Sequence, residues 1–227
     1  MNHGGHDLPS YGLWTLVFIN SAIFVLFAFS FFKPKTKRDW RTFSSFSAFI
    51  VALFVEMYGF PLTIYLLSGW LAKKFPGVDF LAHDAGHIWY RIFGFEGDPH
   101  LNPIHILSNV LIVAGFFLLA GSWRVLFNAQ QEGALAKSGP YSRIRHPQYA
   151  AFIVIMIGFL FQWPTLVTLV MFPILVTIYI RLAYSEEREV AAEFGETWAQ
   201  YARATPRWFP RLARRPNRGE DFVGGRS

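Results

Sequence analysis

The chain has 227 residues, 53% hydrophobic and 16% charged, with no cysteine and a formal net charge of +6. A soluble domain carries roughly a quarter charged residues, and here the apolar residues come in long blocks, which excludes a water-soluble globule and marks a multi-span membrane protein. The lack of cysteine excludes disulfides, thiolate metal sites and a cysteine nucleophile. The basic residues lie beside apolar runs, where they face lipid headgroups rather than nucleic acid.

Tyr11 to Phe32 is a first apolar run of spanning length. Met1 to Ser10 before it has no Lys or Arg and so lacks the basic start of a signal peptide. Lys33 to Arg41 follows with five basic residues among Lys33, Lys35, Lys37, Arg38 and Arg41, which predicts a cytoplasmic loop and an external N-terminus. A second span is expected within Phe43 to Leu71. It carries Glu56, whose ionisable side chain must face the bundle or a cavity; an acceptor-pocket residue and an interhelical hydrogen bond are equal readings.

Lys73 to His100 is polar and Gly-rich, with a core at Ile88 to Phe93 suited to a short interfacial helix. A third span runs from about Pro103 to Phe127, and a polar loop from Asn128 to Gln148 follows. Tyr149 to Tyr184 is too long for one span and is broken at Gln162-Trp163-Pro164, so two helices with a tight turn are expected there. Val190, Ala191, Phe194, Trp198 and Tyr201 then recur at helical spacing, predicting an amphipathic helix that lies on the membrane or caps the bundle. The expected fold is an all-α polytopic membrane bundle of about five transmembrane helices with a C-terminal amphipathic cytoplasmic helix. Its expected regions are 1–120 with the spans of the acceptor side, 121–210 for ligand binding, and a basic disordered tail over 211–227.

The chemistry-bearing stretch is Gly139-Pro140-Tyr141-Ser142-Arg143-Ile144-Arg145-His146-Pro147-Gln148-Tyr149, set between two apolar segments. Glu186-Glu187 closes the next apolar stretch. Cations at one end of a membrane hairpin and carboxylates at the other predict a polar pocket at the membrane surface for a charged or zwitterionic small molecule. Taken singly, these arginines are ordinary headgroup anchors and Glu186-Glu187 an ordinary solvated helix face.

The ordered string Gly139-Pro140-Tyr141, Arg145-His146-Pro147, Tyr149, Glu186-Glu187, Phe194-Gly195, Tyr201 and Pro206-Arg207 resembles the integral-membrane methyltransferases. That superfamily includes isoprenylcysteine carboxyl methyltransferases and phospholipid N-methyltransferases, and the chain is most similar to a bacterial isoprenylcysteine-methyltransferase-like branch. Many members have a glycine soon after the final motif tyrosine, where this chain has Ala150-Ala151; alanine still permits close helix packing.

The resemblance implies S-adenosylmethionine as cofactor, held by Gly139, Pro140, Tyr141, Arg145, His146, Pro147, Tyr149, Glu186, Glu187 and Tyr201. It makes Arg145 and Glu187 the expected catalytic pair. Arg145 can grip a carboxylate bidentately with His146 as second donor, Glu186 or Glu187 can take an ammonium or ribose hydroxyls, and Tyr141 or Tyr149 can face adenine or the sulfonium. Methyl transfer then depends chiefly on alignment and exclusion of water. The acceptor is expected to be lipophilic or small, with a carboxylate, amine or thiol to be methylated. The expected setting is a bacterial inner membrane, N-terminus outside and C-terminus cytoplasmic, with lipid around it and no nucleic acid or obligate protein partner.

A second class of function is a non-enzymatic metal-binding or accessory membrane protein using histidines on the outer side. His83 and His87 have the i, i+4 spacing that places two ligands on one helical face, although Gly86 weakens a helix there. His3, His6, His100 and His105 also fall on or near that side.

Overall fold

A computed structural model describes residues 11–77, 89, 92–94 and 102–210, and the regular structure among them is entirely helical. Helix α1 is Trp14–Phe31 and α2 is Lys37–Phe54. The start of α2 is fixed by a reciprocal capping box: Thr36 Oγ1 accepts from the Asp39 N–H at 3.1 Å, and Asp39 Oδ2 accepts from the Thr36 N–H at 2.9 Å. The cap pulls Arg38 and Arg41 onto the first turns of a helix, where the sequence reading had a loop.

The second apolar segment differs from the single span expected within Phe43 to Leu71. After α2 comes one π-helical turn, Val55–Gly59, then an extended Phe60 and a non-helical Pro61, and a separate helix α3, Leu62–Lys74. Proline lacks a donor and disfavours helical backbone in the residue before it, so the helix ends there. Glu56 repairs the break. Its Oε2 accepts from the Thr63 N–H at 3.0 Å, capping α3, and Thr63 Oγ1 in turn accepts from the Leu166 N–H at 2.8 Å.

Helix α4, Pro103–Gln131, begins under Asn102, whose side chain accepts from the Ile104 and His105 N–H groups. Helices α5, Pro147–Gln162, and α6, Leu166–Ala204, form the hairpin expected at Trp163-Pro164. Thr165 and Thr168 cap the start of α6. Helix α6 passes through Pro173 and breaks only at Gly195, where φ is +53° and ψ is −122°.

Four helical stretches are long and apolar enough to cross a membrane: α1, α2 with its π turn, α4 and α6. The apolar α5 is shorter, 16 residues or about 24 Å. Side chains such as Phe18, Leu26, Phe117 and Val170 point outward, as lipid-facing residues of a bundle do. Inside, Phe32, Phe46, Phe152 and Tyr179 are fully buried and meet edge-on or tilted. Helices α4 and α5 approach closely at glycines. A Cβ on Gly158 would lie 2.7 Å from Ile112 Cγ1 and 3.0 Å from the Ser108 carbonyl oxygen, so only glycine admits this spacing.

Helices α2 and α6 run antiparallel. Arg38 at the start of α2 bonds Glu189 near the far end of α6, while Thr63, just beyond α2, bonds Leu166 at the start of α6. The polar ends of α2, α4 and α6 therefore gather at one end of the bundle, and the chemistry-bearing loop gathers there with them.

Candidate functional site

The loop between α4 and α5 folds into a single 3-10 turn, Gly139–Ser142, entered at Gly139 with φ +54°. That turn buries Tyr141, whose hydroxyl donates to Gln148 Oε1 at 2.7 Å; Gln148 Nε2 is 3.4 Å from Glu186 Oε2. Burial, then the nearby Glu186 charge, pushes the Tyr141 hydroxyl well above its ordinary value, so it stays neutral. His146 sits immediately ahead of Pro147, the first residue of α5, and is 2% exposed.

Both imidazole nitrogens of His146 face carboxylates. Nε2 is 2.9 Å from Glu187 Oε1, and Nδ1 is 3.6 Å from Glu186 Oε2. Burial disfavours the imidazolium, yet the hydrogen bonds and charges of Glu186 and Glu187 outweigh it and raise the His146 pKa.

Glu187 is the hub. Besides His146 it takes Arg207, with Nε donating to Oε1 at 2.9 Å and Nη2 to Oε2 at 2.5 Å. The guanidinium of Arg207 also lies 4.2 Å from the centre of the Tyr184 ring. Arg145 completes the set at 3.5 Å from Glu187 Oε1. Its Nε is buried without a hydrogen-bond partner, and so is His146 Nδ1. Burial, with Arg207 close by, lowers the Arg145 pKa, but a guanidinium remains a cation at neutral pH.

The segment beyond Gly195 bends back over this cluster. Trp198 comes to 5.6 Å from the Arg145 guanidinium, the Tyr201 hydroxyl donates to the Tyr141 carbonyl at 2.7 Å, and the Arg145 N–H donates to the Pro206 carbonyl at 2.9 Å. Glycine alone adopts the Gly195 conformation without strain. The amphipathic stripe predicted over Val190 to Tyr201 thus caps the bundle.

Between that arm and the ends of α2 and α4 lies a cavity of about 350 Å³. Of the predicted site residues, Tyr141, Arg145, His146, Glu186 and Tyr201 form its wall. Gly139, Pro140, Pro147, Tyr149 and Glu187 are not part of the wall: Glu187 is turned to Arg207, and Tyr149 stacks on Tyr179 with centroids 5.8 Å apart. The wall also holds Arg38, Glu189, Glu193, Phe194 and Trp198. Arg38 joins it through the Thr36 cap, which the spacing Thr36-x-x-Asp39 carries in the sequence. Arg207, part of the motif string but not singled out as a site residue, is the main partner of Glu187.

Glu56 sits at the other end of the bundle, 18 residues and roughly 27 Å along α2 from Arg38, and its geometry is that of a helix cap. Among the described residues no group of three or more His, Asp or Glu is placed to hold a metal ion. His83 and His87 lie outside the described residues, as does most of the Ile88 to Phe93 segment.

A helical membrane bundle with a cationic, carboxylate-bearing and aromatic cavity at one polar end defines the class to which comparison can be made. Residues 101–192 match the isoprenylcysteine carboxyl methyltransferase (ICMT) family, a stretch that runs from α4 into the Glu186-Glu187 end of α6. The chain is also 36% identical over 93 residues to the cobalt-zinc-cadmium resistance protein CzcN of Cupriavidus metallidurans. That stretch is 40% of this chain and 43% of CzcN, less than half of either.

Proposed function

We propose that the protein is an S-adenosylmethionine-dependent membrane methyltransferase whose cofactor occupies the 350 Å³ cavity beside Arg145. The observation that carries this reading is the pair of cationic side chains Arg145 and His146 on the cavity wall, whose buried Nε and Nδ1 make no hydrogen bond and lie 3.5 and 3.6 Å from their nearest carboxylates, Glu187 and Glu186. A buried donor without a partner costs free energy of about 1–3 kcal/mol unless something satisfies it, and a ligand carboxylate matches two cationic donors. The wall fits the rest of the cofactor as well. Glu186, Glu189 and Glu193 supply acceptors for an ammonium and ribose hydroxyls, and Trp198, Phe194 and Tyr201 supply aromatic surface.

When bound, S-adenosylmethionine would supply an electrophilic methyl group on a sulfonium. The residues of the chain then bind, orient and exclude water. Arg145 fixes the ligand's carboxylate end, while Glu187 holds His146, Arg145 and Arg207 in register without itself reaching the cavity. The arm beyond Gly195 closes the cavity with Trp198 and Tyr201. The cavity wall offers His146 and carboxylates as its bases, a modest set that suits a carboxylate or thiolate acceptor; an amine must first be deprotonated.

The basic cluster from Lys33 to Arg41 is at the same end as this cavity, which supports a cytoplasmic site, an external N-terminus and, in a bacterium, the inner membrane. Titration calorimetry of the detergent-purified chain with S-adenosylmethionine tests the cofactor reading: saturable one-to-one heat is expected, and its absence in monodisperse protein overturns it. The name of the related CzcN gives a second reading, a metal-resistance accessory protein. Zinc or cobalt binding lost in a His83→Ala, His87→Ala double variant would favour that reading.

A further inference from the structure

A second cavity, of about 520 Å³, opens at the same polar end of the bundle, in the cleft between α2 and α6. It shares no wall residue with the first. Arg41, Arg181 and Arg188 line it together with Tyr184 and Ser185, above the apolar side chains Ile178 and Leu182. No carboxylate is on its wall. Four other arginines at this end are matched: Arg38 by Glu189, Arg207 and Arg145 by Glu187, Arg203 by Glu196. Among the described residues the guanidinium groups of Arg41, Arg181 and Arg188 have neither an ion pair nor a hydrogen bond. Three uncompensated guanidiniums around one cleft repel one another unless an anion sits among them.

An apolar stripe of α6 leads away from the cleft. Val170, Ile174, Ile178, Arg181, Ser185 and Arg188 follow one another at three- and four-residue spacing along α6, so they form a single stripe. Val170 and Ile174 are 63% and 55% exposed. Arg181 is the first charged residue after the apolar run, and Trp40, half exposed, stands next to Arg41 at the same level. A stripe that is apolar in the bilayer and cationic at its surface, beside an interfacial tryptophan, matches a molecule with an acyl chain below and a phosphate above.

We propose that this groove is a binding site for an anionic phospholipid, with the phosphate among Arg41, Arg181 and Arg188 and an acyl chain along Val170 to Ile178. The site is separate from the cavity beside Arg145 and stands whether or not that cavity holds a cofactor.

The test is lipid binding by the full chain, stripped of lipid in detergent and titrated with phosphatidylglycerol, phosphatidylcholine or soluble glycerol phosphate, with occupancy read by native mass spectrometry. The wild-type chain should bind phosphatidylglycerol about tenfold or more tightly than phosphatidylcholine, since basic residues near a membrane surface favour anionic lipid. The triple variant Arg41→Gln, Arg181→Gln, Arg188→Gln should lose that preference, while Arg143→Gln with Arg203→Gln should keep it. An unchanged preference in the triple variant, or an equal loss in the control pair, overturns the site. Competition by glycerol phosphate as strong as that of the lipid overturns the lipid as occupant. If the triple variant does not elute as a single species, the single variants Arg181→Gln and Arg188→Gln decide instead, each expected to weaken the preference severalfold.

Discussion

Glu187 holds Arg207 by both carboxylate oxygens, at 2.9 Å from Nε and 2.5 Å from Nη2, and so ties the end of the folded arm back to α6 twenty residues earlier. The same Oε1 lies 2.9 Å from His146 Nε2. The pairing assigns the two adjacent glutamates different work: Glu187 fastens the framework, and Glu186 faces the cavity.

Arg207→Ala should therefore act on stability first. It leaves Glu187 with His146 and a more distant Arg145, and removes a forked, charge-assisted pair that is only partly exposed, a loss of about 1–3 kcal/mol. Arg207→Lys should recover only part of it, because an ammonium cannot reproduce the fork. Thermal unfolding midpoints of the two variants in one detergent check this; equal midpoints for wild type and Arg207→Ala would refute it.

Gly195→Ala isolates the bend. A Cβ there meets nothing within 4 Å, so any effect comes from the backbone, where φ +53° with ψ −122° is strained for alanine by about 1–3 kcal/mol. Relief of that strain by a straighter helix would carry Trp198 and Tyr201 off the cavity. The expected result is a lower melting point together with weaker S-adenosylmethionine binding, both read on the same preparation.

Much of this arrangement is legible in the sequence. The Arg145-His146-Pro147 and Glu186-Glu187 segments do meet, because the hairpin at Trp163-Pro164 returns α6 to the level at which α5 began. The break at Phe60-Pro61 was not read from the sequence, since predominantly apolar residues continue on both sides of it and a proline within a span can also be a mere kink. The separate roles of Glu186 and Glu187 were hidden too. Neighbouring residues on a helix point about 100° apart, and which of the two meets Arg207 depends on a bend at Gly195 that places Arg207 from outside the helix.

His146 gives the site a pH dependence. Its folded pKa is raised above the ordinary 6.5 by Glu186 and Glu187 against the opposing effect of burial. Stability from the imidazolium is therefore fully present below about 6.5 and is lost as pH rises through the raised folded value. The melting point of the wild-type chain should fall across that window. In His146→Gln the fall should be absent, and an identical slope in the two proteins would remove His146 as its cause.

The four side chains Arg143, Arg145, Glu186 and Glu187 separate the cavity reading from its simpler rivals. Arg145 lines the cavity with a buried Nε that makes no hydrogen bond and lies 3.5 Å from Glu187, whereas Arg143, two residues earlier, is exposed and is absent from the cavity wall. Arg145→Ala should weaken S-adenosylmethionine binding by about 2–5 kcal/mol, the cost of losing a buried charge-assisted contact, and Arg143→Ala should leave it near wild type. Glu186→Ala should weaken binding by about 1–3 kcal/mol with little change in melting point. Glu187→Ala should do the reverse in emphasis, lowering the melting point because Arg207, Arg145 and His146 all lose their common anion. Calorimetry and thermal unfolding on the same four preparations give both readings. Near-wild-type binding by folded Arg145→Ala would dismiss the cavity as the cofactor site, and equal losses at Arg143 and Arg145 would show that the loop needs only positive charge.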